Sequence, residues 1–210
     1  MTTGPVKRVT KGARTRQRIV ERAAALFNTR GVAGASMSDV SAATGLEKGG
    51  IYNHFETKDA LALAAFDYAA GLLHARLSGA VSGASSPAAK LRAMVDLYRG
   101  LADKPIVPGG CPLLNTAVEA DDTHPALRDR ARKALAWWHR LIATTVADAI
   151  AGGEMKKVDP DAVASTMIAL LEGAVMLAKL HGDPTHMRLA VEHLSSYIDG
   201  LSVARTPRSA

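Results

Sequence analysis

Apolar residues along this chain recur mostly three and four apart, the spacing that lines one face of an α-helix. From Arg14 to Arg30, Ile19, Ala23, Leu26 and Phe27 fall on that spacing, and Gly31 stands where a helix would end in a left-handed cap. Ser36 and Asp39 make an S-x-x-D start signal, Val40 and Ala43 are expected to face inward one turn apart, and Gly45 stops the segment soon after. Leu46 leads into a third segment, Glu47 to Phe55, in which Ile51 and Phe55 are four apart and pack on the first two helices. Two short helices around a glycine turn predict helix-turn-helix geometry.

The same period continues to the end of the chain. Thr57 is placed to cap a long fourth helix reaching Val81, packed through Leu61, Phe66, Tyr68, Leu72 and Leu73. Ser82 to Pro87 is a break, after which Leu91, Met94, Val95, Tyr98 and Leu101 mark a fifth helix and Lys104 to Gly110 a loop. Pro112 suits the first position of a sixth helix, and His124-Pro125 opens a seventh that ends near Gly152-Gly153. The last two helices are predicted over Asp161 to Leu180 and Pro184 to Val203. Val163, Met167, Leu170, Leu171 and Ala174 form an apolar stripe on the first of them, and Leu189, Leu194, Ile198 and Leu201 on the second, while Gly173 permits close helix approach. These faces are expected to join two copies of the chain; the alternative is that they fill the core of one. Strand-like alternation is scarce, so the fold class is all-α: a three-helix head and a helical body, about nine helices in all. The head spans residues 12–72 and the body 73–203, with 1–11 and 204–210 expected as flexible tails.

Charge adds what periodicity leaves out. Of the net +6, residues 1–60 hold ten Lys and Arg against five Asp and Glu, and residues 61–210 sixteen against fifteen, so the head carries +5 and the body +1. A basic head suits a polyanion, because neutralised phosphates release counterions and supply sequence-independent affinity. Cys111 is the sole cysteine, which excludes an intrachain disulfide and paired-cysteine metal motifs and predicts a reducing, cytoplasmic setting. Residues 1 to 18 lack the apolar run of a signal peptide, and Glu172 and Lys179 interrupt the most apolar helix, so neither export nor membrane insertion is expected.

The run Glu47-Lys48-Gly49-Gly50-Ile51-Tyr52-Asn53-His54-Phe55, followed by Thr57-Lys58-Asp59-Ala60-Leu61, resembles the head of the tetracycline-repressor family. The resemblance covers residues 12 to 72, including Ala25-Leu26-Phe27 and Gly31; beyond that only general architecture carries over. It implies a homodimer with a four-helix seam, a double-stranded DNA operator as partner, a small-molecule effector, and a third helix, Glu47 to His54, lying in the major groove. By the resemblance Tyr52, His54 and Lys58 contact backbone phosphate, and Lys48 and Asn53 are the base-edge candidates, since Lys donates to guanine and Asn pairs two ways with adenine. Ser38 and Thr44 are placed near phosphate around the second helix, and Arg14 and Arg16 along the adjacent backbone or minor groove. Family members often have a hydroxyl or methyl side chain where this one has Gly50, so that contact is missing. Two local rules are broken here in a way DNA would explain. Lys48 and Lys58 sit at helix starts, where the helix dipole disfavours a cation by about 0.3 to 1 kcal/mol. Gly49 and Gly50 are poor helix formers, tolerable where another backbone approaches closely. The alternative is a weakly formed, solvated first turn.

In the body, Phe66, Met94, Tyr98, Cys111, Asn115, Trp137, Trp138, Met167 and Leu171 are the candidate effector-pocket residues, and their apolar character predicts a small, largely apolar or aromatic effector. The alternative is that the Met and aromatic residues are core. Cys111 precedes Pro112 at a helix start, where the dipole would lower a thiol pKa; it reads either as a sensor of electrophiles or as a buried structural cysteine. Gly109 to Asn115 resembles a segment found in part of the same family. Cys111, Asp121, Asp122 and His124 raise the question of an enzyme, but no phosphate loop, His-Glu-x-x-His helix or nucleophile elbow is present. His181, His186 and His193 define no ligand set, so neither metal nor cofactor is expected.

Overall fold

The computed structural model describes residues 10–101 and 104–203. Nine helices occur among them: α1 (Lys11–Arg30), α2 (Met37–Thr44), α3 (Lys48–Tyr52), α4 (Lys58–Ser82), α5 (Pro87–Leu101), α6 (Pro112–Ala120), α7 (Pro125–Ala151), α8 (Pro160–His181) and α9 (Thr185–Leu201). Of the tails predicted at 1–11 and 204–210, Thr10 and Lys11 start α1, and the remainder lies outside the described residues.

Several starts are fixed by the side chain of the capping residue, while α3, α6 and α9 begin without one. Thr10, Ser36 and Thr57 accept the backbone N–H three residues on, and Ser36 and Asp39 form a full capping box. His124 does the same for α7 through Nδ1, 3.2 Å from the Leu127 N–H. That role accounts for His124 without chemistry, and the acids near it, Asp121 and Asp122, are exposed. The third helix is shorter than predicted: it closes at Tyr52, because Asn53 and His54 already turn the chain toward Phe55.

The head closes around Ile19, Ala23 and Phe27 of α1, Val40 of α2, Ile51 of α3, and Phe55, all buried, whereas Ala43, expected to face inward, is exposed. Helix α4 belongs to both halves, packing on α1 with its first turns and on α5 and α7 further along. Helix α8 is long and apolar enough to cross a membrane, with a mean hydropathy of 1.7, but Val163, Ala164, Met167, Leu171 and Ala174 are buried and the helix packs between α7 and α9. It is a core helix.

Head and body are also joined by a polar latch. The buried Asn28 amide on α1 donates to the carbonyls of Pro108 (2.8 Å) and Gly110 (3.0 Å). Asn115 on α6 donates back to the Asn28 backbone carbonyl (3.1 Å) and side-chain oxygen (2.9 Å), and to the Gly109 carbonyl (2.9 Å). One turn later Glu119 accepts the Ala33 N–H at 2.8 Å. Gly109 has φ +103°, and a Cβ there would stand 2.4 Å from the Asn28 carbonyl oxygen. Gly45, which turns α2 into α3 at φ +68°, has open space around the same position. Gly45→Ala should therefore cost about 1 kcal/mol for its backbone alone, and Gly109→Ala at least about 2 kcal/mol because it also breaks the latch. Equal urea midpoints for the two variants would contradict this account.

Candidate functional site

The third helix stands out from the head as an exposed edge. Ile51 anchors it inward, and Lys48, Gly49, Tyr52 and Asn53 face solvent, with Tyr52 45% exposed. His54 and Lys58 are half-buried at its far end. Among the described residues neither Lys48 nor Lys58 has an acidic partner, and they are the first residues of α3 and α4. A Cβ added at Gly49 or Gly50 would meet nothing within 4 Å. Packing inside the chain therefore does not require glycine at either position. Arg14 is exposed, and Arg16 lays its guanidinium over the Phe55 ring, 4.6 Å from the centroid, which orients it beside α3. Ser38 is exposed on α2. Thr44 departs from the expectation: it is buried, its hydroxyl donates to the Val40 carbonyl at 2.8 Å, and the Leu46 N–H approaches it at 3.4 Å. It shapes the turn and is turned away from the surface the others share.

In the body the predicted pocket residues do not line one cavity. Met94, Met167 and Leu171 are core. Phe66 and Asn115 border a small gap at the head–body junction, Trp137 and Trp138 line a cleft of ≈ 180 Å³, and Tyr98 and Cys111 line a cavity of ≈ 30 Å³. Trp137 stacks on His74 at 3.7 Å and Trp138 on Tyr98 at 5.4 Å. Leu73 lines both the cleft and the small cavity, so its side chain partitions them.

The residue that organises this region is Glu172, which the sequence reading had only as an interruption of an apolar helix. Its Oε1 accepts from Cys111 Sγ at 3.1 Å and from the Tyr98 hydroxyl at 3.5 Å. Its Oε2 is buried with no partner among the described residues, as is Trp138 Nε1. Burial pushes the carboxyl up to about 7, against the two hydrogen bonds that favour its charged form. The expected lowering of the Cys111 pKa is reversed: burial, then the Glu172 charge, push the thiol well up, outweighing the N–H groups of Leu114 and Leu113 at the start of α6. Cys111 is a protonated hydrogen-bond donor rather than a poised nucleophile. Three chemistry-bearing groups thus meet at one point because α5, α6 and α8 converge there.

The dimer faces divide in two. Val163, Met167, Leu171, Ala174, Leu194 and Ile198 are buried inside the single chain, so they are its core rather than a seam. Leu170, Gly173 and Leu201 are half-buried, and Leu189 is 57% exposed. Sequence reasoning missed Met176, Leu177 and Leu180, the last 75% exposed, which lie on the same side of α8 as Leu170 and Gly173. The spacing signal was present, since 170, 173, 177 and 180 are three and four apart. A second stripe at the same spacing on the opposite face obscured it. Among the described residues no group of His, Cys, Asp and Glu could hold a metal ion.

The comparisons with known proteins agree with this geometry. Residues 19–65 match the bacterial regulatory proteins of the tetR family, and residues 87–194 match the tetracyclin repressor-like C-terminal domain. A TetR transcriptional regulator from Chloroflexus aurantiacus superposes with a TM-score of 0.89 at 48% identity, over 91% of this chain and 98% of that one. A TetR-family regulator from Cytophaga hutchinsonii gives 0.85 at 37%, over 95% and 100%. The HTH-type transcriptional repressor DhaR of a Mycobacterium species is 26% identical over 79% of this chain and 82% of its own. This chain belongs to the tetR family and is a DNA-binding transcriptional regulator, not an enzyme.

The raised Glu172 pKa has a consequence for stability. The folded state holds a proton that the unfolded chain releases near pH 4.5, so stability falls as pH rises from about 4.5 to about 7 and then levels off. The loss attached to this group is on the order of 3 kcal/mol. Glu172→Gln should remove that part of the slope, leaving the variant more stable than wild type at pH 8 and similar at pH 4.5. Parallel urea midpoints for the two proteins across that range would contradict it.

Proposed function

We propose that the chain is a ligand-responsive repressor that binds a palindromic operator in the cytoplasm as a homodimer and leaves it when a small molecule enters the body. The observation that carries this reading is the exposed third helix bounded by two unpaired lysines at helix starts. Cations there oppose the helix dipole unless an anion faces them, and backbone phosphates of a bound duplex supply such anions. Lys48 and Asn53 read base edges; Tyr52, His54, Lys58, Ser38, Arg14 and Arg16 hold the backbone; Gly49 and Gly50 leave room for close approach. The repressor among the relatives supports repression rather than activation.

The partner copy covers the free face of α8, Leu170, Gly173, Met176, Leu177 and Leu180, with Leu189 and Leu201 of α9 beside it. A contiguous apolar face of this kind on one chain marks an association surface, and a two-fold axis through it sets two heads one helical turn of DNA apart. The body communicates with the head through the loop that bears Cys111. A ligand that displaces the Cys111–Glu172 contact moves Gly109 and Gly110, and with them the hydrogen bonds that hold Asn28 on α1. Its differential affinity for the two arrangements is the energy available for release.

Three outcomes test this reading. Lys58→Ala should weaken binding to all duplexes and flatten the salt dependence by about one unit of slope, whereas Asn53→Ala should relax preference at one position by about 1 to 3 kcal/mol. Equal loss on operator and random duplex for Asn53→Ala, in a gel-shift titration, refutes its base-reading role. Gly173→Arg has open space within its own chain and should give a folded monomer in sedimentation; a dimer of unchanged strength removes this face from the seam.

A further inference from the structure

Glu172 presents a chemical problem that the chain leaves half-solved. A buried carboxylate is tolerated when both oxygens are hydrogen-bonded or a cation lies beside it. Here Cys111 and Tyr98 serve Oε1 alone, and Oε2 is enclosed without a donor among the described residues. No Lys, Arg or His forms an ion pair with it among the described residues. Its two hydrogen-bond partners, Tyr98 and Cys111, line the small cavity together with Leu73, Ile106 and Val175, and the carboxyl lies behind them. Val175 follows Glu172 by nearly one turn of α8. On the other side of Leu73 lie Trp137 and Trp138. Apolar walls, aromatic faces and one buried carboxylate lacking a donor form the complement of an organic cation that carries N–H groups.

We infer that the effector site selects a small primary or secondary amine, whose protonated nitrogen donates to Glu172 Oε2 while its hydrocarbon part displaces Leu73 and lies toward Trp137 and Trp138. The inference rests on the reading of the body as the effector-binding half. It specifies the ligand class: a carboxylic acid is repelled, and a neutral apolar molecule leaves the carboxyl unserved. The cleft and cavity are well below the several hundred Å³ of a drug-sized pocket, which limits the ligand to one ring or a short chain. A donor arriving at Oε2 re-aims the carboxylate whose Oε1 accepts from Cys111, which couples occupancy to the loop that latches Asn28.

The probes are phenethylamine, 2-phenylethanol and 3-phenylpropionate, matched in shape and differing at the polar end. Trp137 and Trp138 are the only tryptophans, so quenching of their fluorescence reports entry directly. At pH 7 the full-length dimer should bind phenethylamine saturably, 2-phenylethanol at least tenfold more weakly, and 3-phenylpropionate not at all. Glu172→Gln should lose at least tenfold for phenethylamine and little for 2-phenylethanol. Equal binding of the three compounds by wild type, preference for the acid, or no saturable binding of any of them overturns the inference, and none of these readings depends on the variant folding. DNA is scored apart, on a selected duplex with and without phenethylamine. Saturable, Glu172-dependent amine binding that leaves the duplex bound upholds the amine site and instead defeats the ligand-released repressor of the preceding section.

Discussion

One buried amide ties the molecule together. Asn28 sits near the end of α1 at the head–body junction, at 9% exposure, and a buried amide must be hydrogen-bonded or it costs about 1 to 3 kcal/mol. Every partner it finds belongs to the body: Pro108, Gly110 and Asn115. Besides its packing on α4, α1 is therefore tied to the body through the 108–110 loop and α6. Gly109 is forced by the same arrangement, since any side chain there would meet the Asn28 carbonyl.

That tie makes the position of Glu172 consequential. The loop that serves Asn28 with carbonyls at 108 and 110 carries Cys111 as its next residue, and Cys111 donates to Glu172. The half-buried Glu172 is thus linked through one loop to Asn28 in the head. Interiors this well packed switch between discrete arrangements rather than deforming smoothly. The thiol there is buried, donates to Glu172 and has its pKa held well up by burial and by the Glu172 charge.

Most of the head was legible in the sequence. Capping residues at 36, 39 and 57, the stops at Gly31 and Gly45, and the inward Val40 and Ile51 act within a few residues of themselves, so a linear pattern records them. The exposed lysines and glycines of α3 were legible for the opposite reason, as departures from local helix preference that packing does not explain. Thr44 was misread because a threonine at the end of a short helix looks the same whether its hydroxyl turns outward or back to the Val40 carbonyl.

What the sequence determined alone is the number and order of the helices, the basic head and the family resemblance, since each depends on neighbours along the chain. The tertiary structure decided which of two apolar stripes on α8 is core and which is free, because periodicity reveals a face without saying what covers it. It also decided that Glu172, Cys111 and Tyr98 share hydrogen bonds. Residues 61 and 74 positions apart meet only when three helices converge, and burial, not sequence neighbourhood, sets whether an acid there holds its proton.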